Sequence, residues 1–379
     1  MSRFKINEYY KLLTGLFEAE PCVDSVPDYA FSPLNLSGEL YQPILDQEWI
    51  KSHETPSWPG GKKFAVCLTH DVDAVSQDSP SQNVRSIAHV LKTGGARPLG
   101  DILKWSIIHM VRAFKGFATP EKSLCKFEDW IAIERKHGAR STFFFAPESV
   151  TKHHASDCQY TYSQKIPHEG QKFAVSKVMR MLDDEGWEIG LHPSWHAHAN
   201  VKEMTFQKNQ VEKALGHKIT SVRQHFLKFD PKSTSRVQSE AGFKYDSTLG
   251  FNDNIGFRRG TSYPFQCVDG LDGNILPLLE IPLTLQDGAM LLGEKGLRLD
   301  VETSLKYIKQ MLTNVKAVGG VLNLSWHPHT RFIPGFWELY TQTLEMISDE
   351  DPYMGTVSEI GDWWVSQNVD LIHFTKDLE

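Results

Sequence analysis

Three short segments of the chain combine carboxylate and imidazole side chains in a way that suggests a hydrolytic metal site. In one-letter code they read THDVD at 69–73, GLHPSWH at 190–196 and LSWHPH at 324–329. Each follows a short apolar run typical of a buried strand, so Asp or His comes where a strand ends. Acid, base and metal-ligand side chains that converge from distant parts of a chain favour an active site over a structural core.

Asp71 and Asp73 are two residues apart at the end of the first strand, so both can point to the same side. One carboxylate could bind a metal while the other moves a proton. The alternative is an ordinary turn, since Asp is common where strands end. His70, just before the pair, is expected to support the site, with a metal-ligand role as its alternative.

His192 and His196 have the spacing that places two imidazoles on one face of a helical turn, and Pro193 suits the first position of such a turn. With a carboxylate from another strand end they would form a two-histidine, one-carboxylate set with room for water, which is the pattern of catalytic zinc sites. Zinc is the expected ion, and cobalt, nickel, manganese and iron suit the same ligands. Two ordinary surface histidines are the alternative.

His327 ends another apolar run. Beside a metal it could act as the general acid that protonates a leaving group. A core histidine with satisfied hydrogen bonds is the other interpretation, and His329 is the alternative acid.

Helix and strand patterns alternate from residue 63 onwards. Seven or eight helix-then-strand units imply parallel strands with right-handed crossovers, and they favour a (β/α) barrel over an open sheet. Catalytic groups of such barrels lie at the C-terminal ends of the strands, where all three segments fall. We therefore predict an irregular N-terminal arm at 1–62 and a barrel domain at 63–379. A helical insertion at about 76–120, with helical patches at 84–91 and 102–114, would interrupt the barrel.

The composition is that of an ordinary globular protein, with 379 residues, 40% hydrophobic and 23% charged. The net charge of -7 gives no electrostatic footprint for nucleic acid. No apolar run is long enough to span a bilayer, and the N-terminus lacks the apolar stretch of a signal peptide. The five cysteines are scattered and form no C-x-x-C pair. These features together predict a cytoplasmic protein.

These motifs resemble those of the polysaccharide deacetylase superfamily, carbohydrate esterase family 4 with its NodB homology domain, over about residues 64–365. The family motif T-F-D-D-G appears here as an H-D-V-D variant, H-S/T-x-x-H appears at 192–196 with Pro in the second position, and L-x-x-H ends at His327. The motif R-x-P, followed by Phe or Tyr, matches 223–226 with His225 where Pro is usual.

The resemblance implies a distorted (β/α)7 barrel and a role for each matched residue. Asp71 would be the catalytic base, although its role and that of Asp73 could be exchanged. Arg223 would order the base, and His327 would be the acid. The implied metal ligands are Asp73, His192 and His196.

The activity implied by the resemblance is removal of an acetyl group from an N-acetylated sugar by water that a divalent metal activates. Without a signal segment, we expect the substrate to be a glycan precursor, such as a lipid- or nucleotide-linked amino sugar. The alternatives are a C–N hydrolase of a small cyclic amide and a degenerate relative that binds carbohydrate without catalysis. The oligomeric state stays open.

Four further residues are predicted to contact the substrate. Asp246 belongs to the segment that best matches the family's fourth motif, and Arg258 and Tyr263 belong to a loop that mixes Gly, Arg and aromatic residues. Arg258, or Arg259 beside it, would bind a carboxylate or phosphate, and Tyr263 would stack on a sugar. Trp326, next to His327, could be a sugar platform or part of the core. An ordinary surface loop is the alternative for the Arg and Tyr residues.

Overall fold

The computed structural model describes residues 9–18, 34, 37–76, 110, 125–154, 156–292 and 296–378. The predicted helical insertion and both of its helical patches lie outside these ranges, apart from residues 76 and 110. None of the helices in the described ranges combines the length and the apolarity that a membrane span needs.

The barrel is built from a curled sheet that contains ten of the twelve described strands. The strands are β1 (Ala65–Val72), β2 (Thr142–Phe145), β3 (Lys165–His168), β4 (Gln171–Ala174), β5 (Glu188–Leu191), β6 (Ser221–Val222), β7 (Tyr245–Asp246), β8 (Phe265–Val268), β9 (Ile275–Glu280), β10 (Leu285–Gln286), β11 (Val321–Ser325) and β12 (Tyr353–Gly355).

The strand order of the sheet is β10-β11-β1-β2-β5-β6-β7-β9-β8, and every neighbouring pair is parallel except β8 with β9. β12 pairs with the start of β1, and β3 and β4 form a separate hairpin. Because β10 and β8 lie at opposite ends of this order, the barrel is open and distorted. The predicted fold class, a distorted (β/α) barrel, is confirmed.

Helices follow most of the parallel strands and pack against the sheet. They are α1 (Tyr9–Thr14), α2 (Ile44–Trp49), α3 (Phe127–Lys136), α4 (Val175–Asp184), α5 (Val201–Leu215), α6 (Thr234–Glu240), α7 (Asp287–Leu291), α8 (Val301–Val318), α9 (Phe336–Ser348), α10 (Val357–Val365) and α11 (Leu371–Asp377). The sequence sets their ends. Asp300 caps the start of α8 by accepting a hydrogen bond from the Thr303 amide, and α8 ends at Gly319, whose φ of 73° is left-handed.

Strand β1 is buried on both faces, which explains its continuous apolar sequence. Its side chains alternate between two packed regions. Val66 and Leu68 belong to the core between the sheet and the surrounding helices. Ala65 and Cys67 belong to a second core, to which α1, α2, α10 and α11 contribute. Strand β1, whose C-terminal end carries Asp71 and Asp73, is therefore packed tightly on both faces.

The described parts of the N-terminal arm contact the barrel through polar as well as apolar groups. The buried Asp46 carboxylate accepts hydrogen bonds from the Ser262 amide at 2.7 Å and the Ser262 hydroxyl at 2.6 Å. Burial, opposed by these hydrogen bonds, raises the pKa of Asp46 to about 7. The Trp58 indole donates to the Gly319 carbonyl at 2.9 Å. The division of the chain at residue 62 stays a prediction.

Candidate active site

Six acidic and imidazole side chains meet at one edge of the sheet. They come from the C-terminal ends of β1, β5, β6, β10 and β11, which share this edge because the strands are parallel. Its most accessible members include Asp73 and His327, whose side chains are 26% and 17% exposed, so the edge is open to solvent. The six residues are Asp71, Asp73, His192, His225, Asp287 and His327.

Asp73, His192 and His225 each direct one ligand atom to a common point, with all three atoms within 4.8 Å of one another. The Asp73 Oδ1 atom lies 3.3 Å from His192 Nε2 and 3.6 Å from His225 Nε2. A tetrahedral ion with metal–ligand bonds of about 2.0–2.2 Å would separate such atoms by about 3.3–3.5 Å. The donor types and the spacing therefore fit a divalent metal.

The hydrogen bond of His192 Nδ1 prepares the other ring nitrogen for a metal. His192 Nδ1 lies 2.7 Å from the Arg223 carbonyl oxygen, to which it donates, so Nε2 faces Asp73. Burial opposes the charged form of His192, but Asp71 and Asp73 raise its pKa above the ordinary value. Burial lowers the pKa of His225 to about 4, so His225 is neutral at pH 7, the form that binds metal.

The structure does not bring His196 into this group. Residues 192–194 follow β5 without regular secondary structure, and the first turn begins at 195. The four-residue spacing places two side chains on one face only in a helix, so the predicted pairing of His192 with His196 is lost. The His196 ring lies against His154 instead, with centroids 5.7 Å apart. The third converging ligand atom belongs to His225.

The Asp71 carboxylate is held by the fully buried guanidinium of Arg223. Arg223 Nη1 lies 3.1 Å from Asp71 Oδ1, and Arg223 Nε donates to the Ser247 carbonyl at 2.6 Å. Burial favours the neutral acid, but the positive charge of Arg223 holds the pKa of Asp71 below its usual range. The predicted contact between Arg223 and Asp71 is therefore present, and Asp71 is ionised at neutral pH.

His327 is held by a carboxylate that the sequence did not single out. His327 Nδ1 lies 2.6 Å from Asp287 Oδ1, and the His327 amide donates to Asp287 Oδ2 at 3.0 Å. The Thr330 hydroxyl donates to the same Oδ2 at 2.9 Å. Burial opposes protonation of His327, but the negative charge of Asp287 raises the pKa of His327 to about 10. The imidazole is therefore charged at pH 7, with Nε2–H directed towards Asp73 Oδ2, 3.6 Å away.

His70 supports the site, because both of its ring nitrogens have partners. Nδ1 lies 2.8 Å from the Trp326 carbonyl oxygen, and Nε2 lies 2.7 Å from Glu134 Oε1. Glu134 is itself fully buried and accepts hydrogen bonds from Ser141 at 2.7 Å. Neither nitrogen is left for a metal, so this network ties β1 to β11 and α3.

The four residues predicted to contact substrate lie inside the protein. Tyr263 and Trp326 are both fully buried and pack in the two cores. Arg258 makes two hydrogen bonds to Glu18 of the arm, at 3.1 and 2.8 Å, so its guanidinium is already paired. Loop 256–265 is thus covered by the arm, and it does not form a surface that a sugar could reach.

Asp246 is also fully buried, and it lies beside the equally buried Glu280. Burial raises the pKa of both carboxyl groups, that of Asp246 to about 6. The Leu249 amide donates to Glu280 Oε1 at 2.8 Å, so the pair organises the chain after β7. Asp246 therefore has a place in the core rather than on a groove wall.

Sequence reasoning missed two members of the site, His225 and Asp287. His225 lies two residues after Arg223, beyond the end of β6, at the position where the family motif has Pro, so a histidine at a fourth strand end was the available signal. Asp287 follows β10, a strand of only two residues. No apolar periodicity can reveal a strand that short.

Comparisons with known proteins place the fold among solved structures. No family model and no curated protein matches the sequence. A Mycobacterium smegmatis protein assigned as a polysaccharide deacetylase is 19% identical, with a TM-score of 0.54 over 84% of this chain and 95% of that one. A Pseudomonas aeruginosa PAO1 protein with the same assignment is 14% identical to this chain. Its TM-score is 0.53 over 84% of this chain and 97% of that one.

The Puue allantoinase is 14% identical, with a TM-score of 0.53 over 84% of this chain and 96% of that one. At these identities the similarity establishes the fold. The resemblance to the polysaccharide deacetylase superfamily is thus confirmed at the level of the fold.

Proposed function

We propose that this chain is a metal-dependent hydrolase that removes an acetyl group from an N-acetylated sugar or glycan precursor. The observation that carries the proposal is the ligand set of Asp73, His192 and His225, with a carboxylate on one side and a charged imidazole on the other. The fold supports it, because proteins assigned as polysaccharide deacetylases share that fold.

A divalent ion held by Asp73, His192 and His225 would lower the pKa of water towards about 7 and polarise the acetamide carbonyl. Zinc is the preferred ion, with cobalt, nickel, manganese and iron as compatible choices. The proposal corrects the ligand set expected from the sequence by replacing His196 with His225.

Asp71 is the proposed base. Its carboxylate accepts a proton from the attacking water, and the adjacent Arg223 keeps it ionised and fixed in position. Arg223 is itself anchored on Ser247, so the base cannot swing away from the ligand group. Asp73, which lies among the ligand atoms, is the residue left for the metal.

His327 is the proposed acid. Its imidazole is protonated at neutral pH because Asp287 faces Nδ1, and its Nε2–H points towards the ligand group. Transfer of that proton to the departing amine nitrogen completes cleavage of the amide. The two proton-transfer groups, Asp71 and His327, thus have opposite charges and complementary roles.

A second candidate is hydrolysis of a small cyclic amide, which the similarity to an allantoinase favours. The same base and acid could open a ring C–N bond, so only the substrate distinguishes the two reactions. The degenerate carbohydrate-binding relative is disfavoured, because side chains of the types needed for base, acid and metal ligands lie close together at this site. A cytoplasmic location stays a prediction.

The experiment is a substrate panel with zinc-loaded protein, in which acetate, free amine and ring opening are measured. The panel contains N-acetylglucosamine oligomers, UDP-N-acetylglucosamine, acetylated xylan and allantoin. We expect amine and acetate from an N-acetylated sugar. Turnover in Asp71→Asn and His327→Ala should fall by about 10²–10⁴-fold with zinc retained, and His196→Ala serves as the matched control that stays active.

The contrary outcomes are distinct. Ring opening of allantoin without release of acetate would favour the cyclic-amide hydrolase. Binding of sugar without any turnover would favour the degenerate relative. Full activity in Asp71→Asn would refute the proposed role of Asp71 as the base.

A further inference from the structure

Cys158 is the one cysteine of the described residues that is not fully buried, and it lies at the ligand group. Its sulfur is 3.8 Å from Asp73 Oδ1 and 3.9 Å from His225 Nε2. The proposed mechanism assigns no role to this side chain. The thiol therefore lies close to two of the three proposed ligand atoms, Asp73 Oδ1 and His225 Nε2.

The loop between β2 and β3 fixes the position of Cys158 on both sides. One residue before it, Asp157 accepts a hydrogen bond at 2.8 Å from the amide of Trp195, which lies three residues after His192. Two residues after it, the Tyr160 hydroxyl donates to the Val72 carbonyl at 2.9 Å, next to Asp73. The loop is thus tied to two of the three chain segments that carry the proposed metal ligands, which holds the sulfur at the site.

The distances are compatible with coordination by sulfur. A tetrahedral ion with a metal–sulfur bond of about 2.3 Å separates a sulfur ligand from a nitrogen or oxygen ligand by about 3.5–3.7 Å. The observed 3.8 and 3.9 Å are close to that spacing. Thiolate is also a strong ligand for zinc and cobalt, and binding would release the thiol proton to solvent.

We propose that Cys158 is the fourth protein ligand of the metal and closes the resting site. This inference rests on the proposed function, because it needs the metal held by Asp73, His192 and His225. Four protein ligands are typical of closed sites, whereas a catalytic ion keeps one position for water. Cys158 would therefore have to leave the metal before water could be activated, and because its loop is anchored on both sides, rotation of the Cys158 side chain would open the site.

The test is cobalt(II) substitution of the full chain, followed by absorption spectroscopy. The parent protein should bind one cobalt and show sulfur-to-cobalt charge-transfer absorption in the near ultraviolet. Cys158→Ala should lose that absorption, keep cobalt with about 10–100-fold weaker affinity, and bind azide at the vacated position. Cys267→Ser, which changes a buried cysteine in β8, is the matched control and should keep the absorption.

The outcomes separate this inference from the proposed function. Stoichiometric cobalt without charge-transfer absorption in the parent would show that Cys158 is no ligand, while the proposed metal site would stand. Charge-transfer absorption that persists in Cys158→Ala would also overturn the inference. A parent protein that binds no cobalt would refute the proposed metal site, and with it the proposed function. Equal binding of azide to parent and Cys158→Ala would contradict the closed resting site.

Discussion

Replacement of Asp287 by Asn should lower the pKa of His327 without removing the imidazole. Asp287 accepts hydrogen bonds from His327 Nδ1 at 2.6 Å, from the His327 amide at 3.0 Å and from Thr330 at 2.9 Å. Asn has nearly the same shape but carries no charge. The protonated imidazole therefore loses the negative partner that stabilises it, while its neutral form loses little.

The size of the effect follows from the lost interaction. A hydrogen bond to a charged group contributes about 1.5–3 kcal/mol, and one pKa unit corresponds to about 1.4 kcal/mol. The pKa of His327, which is about 10 in the parent, should therefore fall by about one to two units. At pH 7 the imidazole stays mostly protonated, so the alkaline limb of activity moves towards neutral pH while activity at pH 7 changes little.

Histidine NMR measures this pKa without a substrate. The metal-free protein would be labelled with ¹³C-histidine, the His327 resonance identified by its absence in His327→Gln, and its shift followed against pH. Thr330→Val is the matched control, since it removes one donor but leaves the Asp287 charge. A His327 midpoint that is the same in Asp287→Asn and the parent would refute the role given to Asp287.

Three further predictions concern the base, the arm and the packing beneath the site. Arg223→Lys keeps a positive charge but loses the planar contacts that fix Asp71, so turnover should fall by about 10–100-fold with zinc content unchanged, as measured by kinetics and metal analysis. An unchanged rate would contradict the positioning role. Burial raises the pKa of Glu18, but the positive charges of Arg258 and Arg259 outweigh burial and lower that pKa below the ordinary 4.5. Its contribution to stability is therefore present above pH 4.5 and lost as pH falls through the lower folded pKa. The free energy of unfolding in urea should be lower for Glu18→Gln than for the parent at pH 7, and the two values should converge in acid. A difference that does not depend on pH would refute the ion pair. A Cβ at Gly190 would lie 2.6 Å from the Phe144 ring, so Gly190→Ala should destabilise the fold by about 1–3 kcal/mol in thermal unfolding, and an unaltered melting temperature would contradict the tight packing.

The convergence of the site could be predicted from sequence because it depends on strand ends. Asp71, Asp73, His192 and His327 each follow an apolar run, and parallel strands bring such ends to one edge. The order of strands and helices, which follows from the alternating sequence pattern, was therefore enough to predict that these side chains meet. The fold class could be predicted for the same reason.

Local backbone and long-range pairing could not be predicted in this way. His196 was expected beside His192 on the basis of helical spacing, but the backbone after β5 forms no helical turn at 192–194, and neither residue type reveals this. Arg258 was expected to face a substrate, but it pairs with Glu18, which lies 240 residues away in the chain. Asp287 follows a strand too short to leave a pattern. In each case the deciding contact is tertiary.

The most direct test of the account is the metal content of three proteins purified in parallel and loaded with zinc: the parent, His225→Ala and His196→Ala. We predict one zinc per chain in the parent and in His196→Ala, and loss of zinc in His225→Ala, because His225, and not His196, lies in the ligand group with Asp73 and His192. Retention in His225→Ala together with loss in His196→Ala would contradict the site, and a parent without zinc would contradict metal-dependent catalysis.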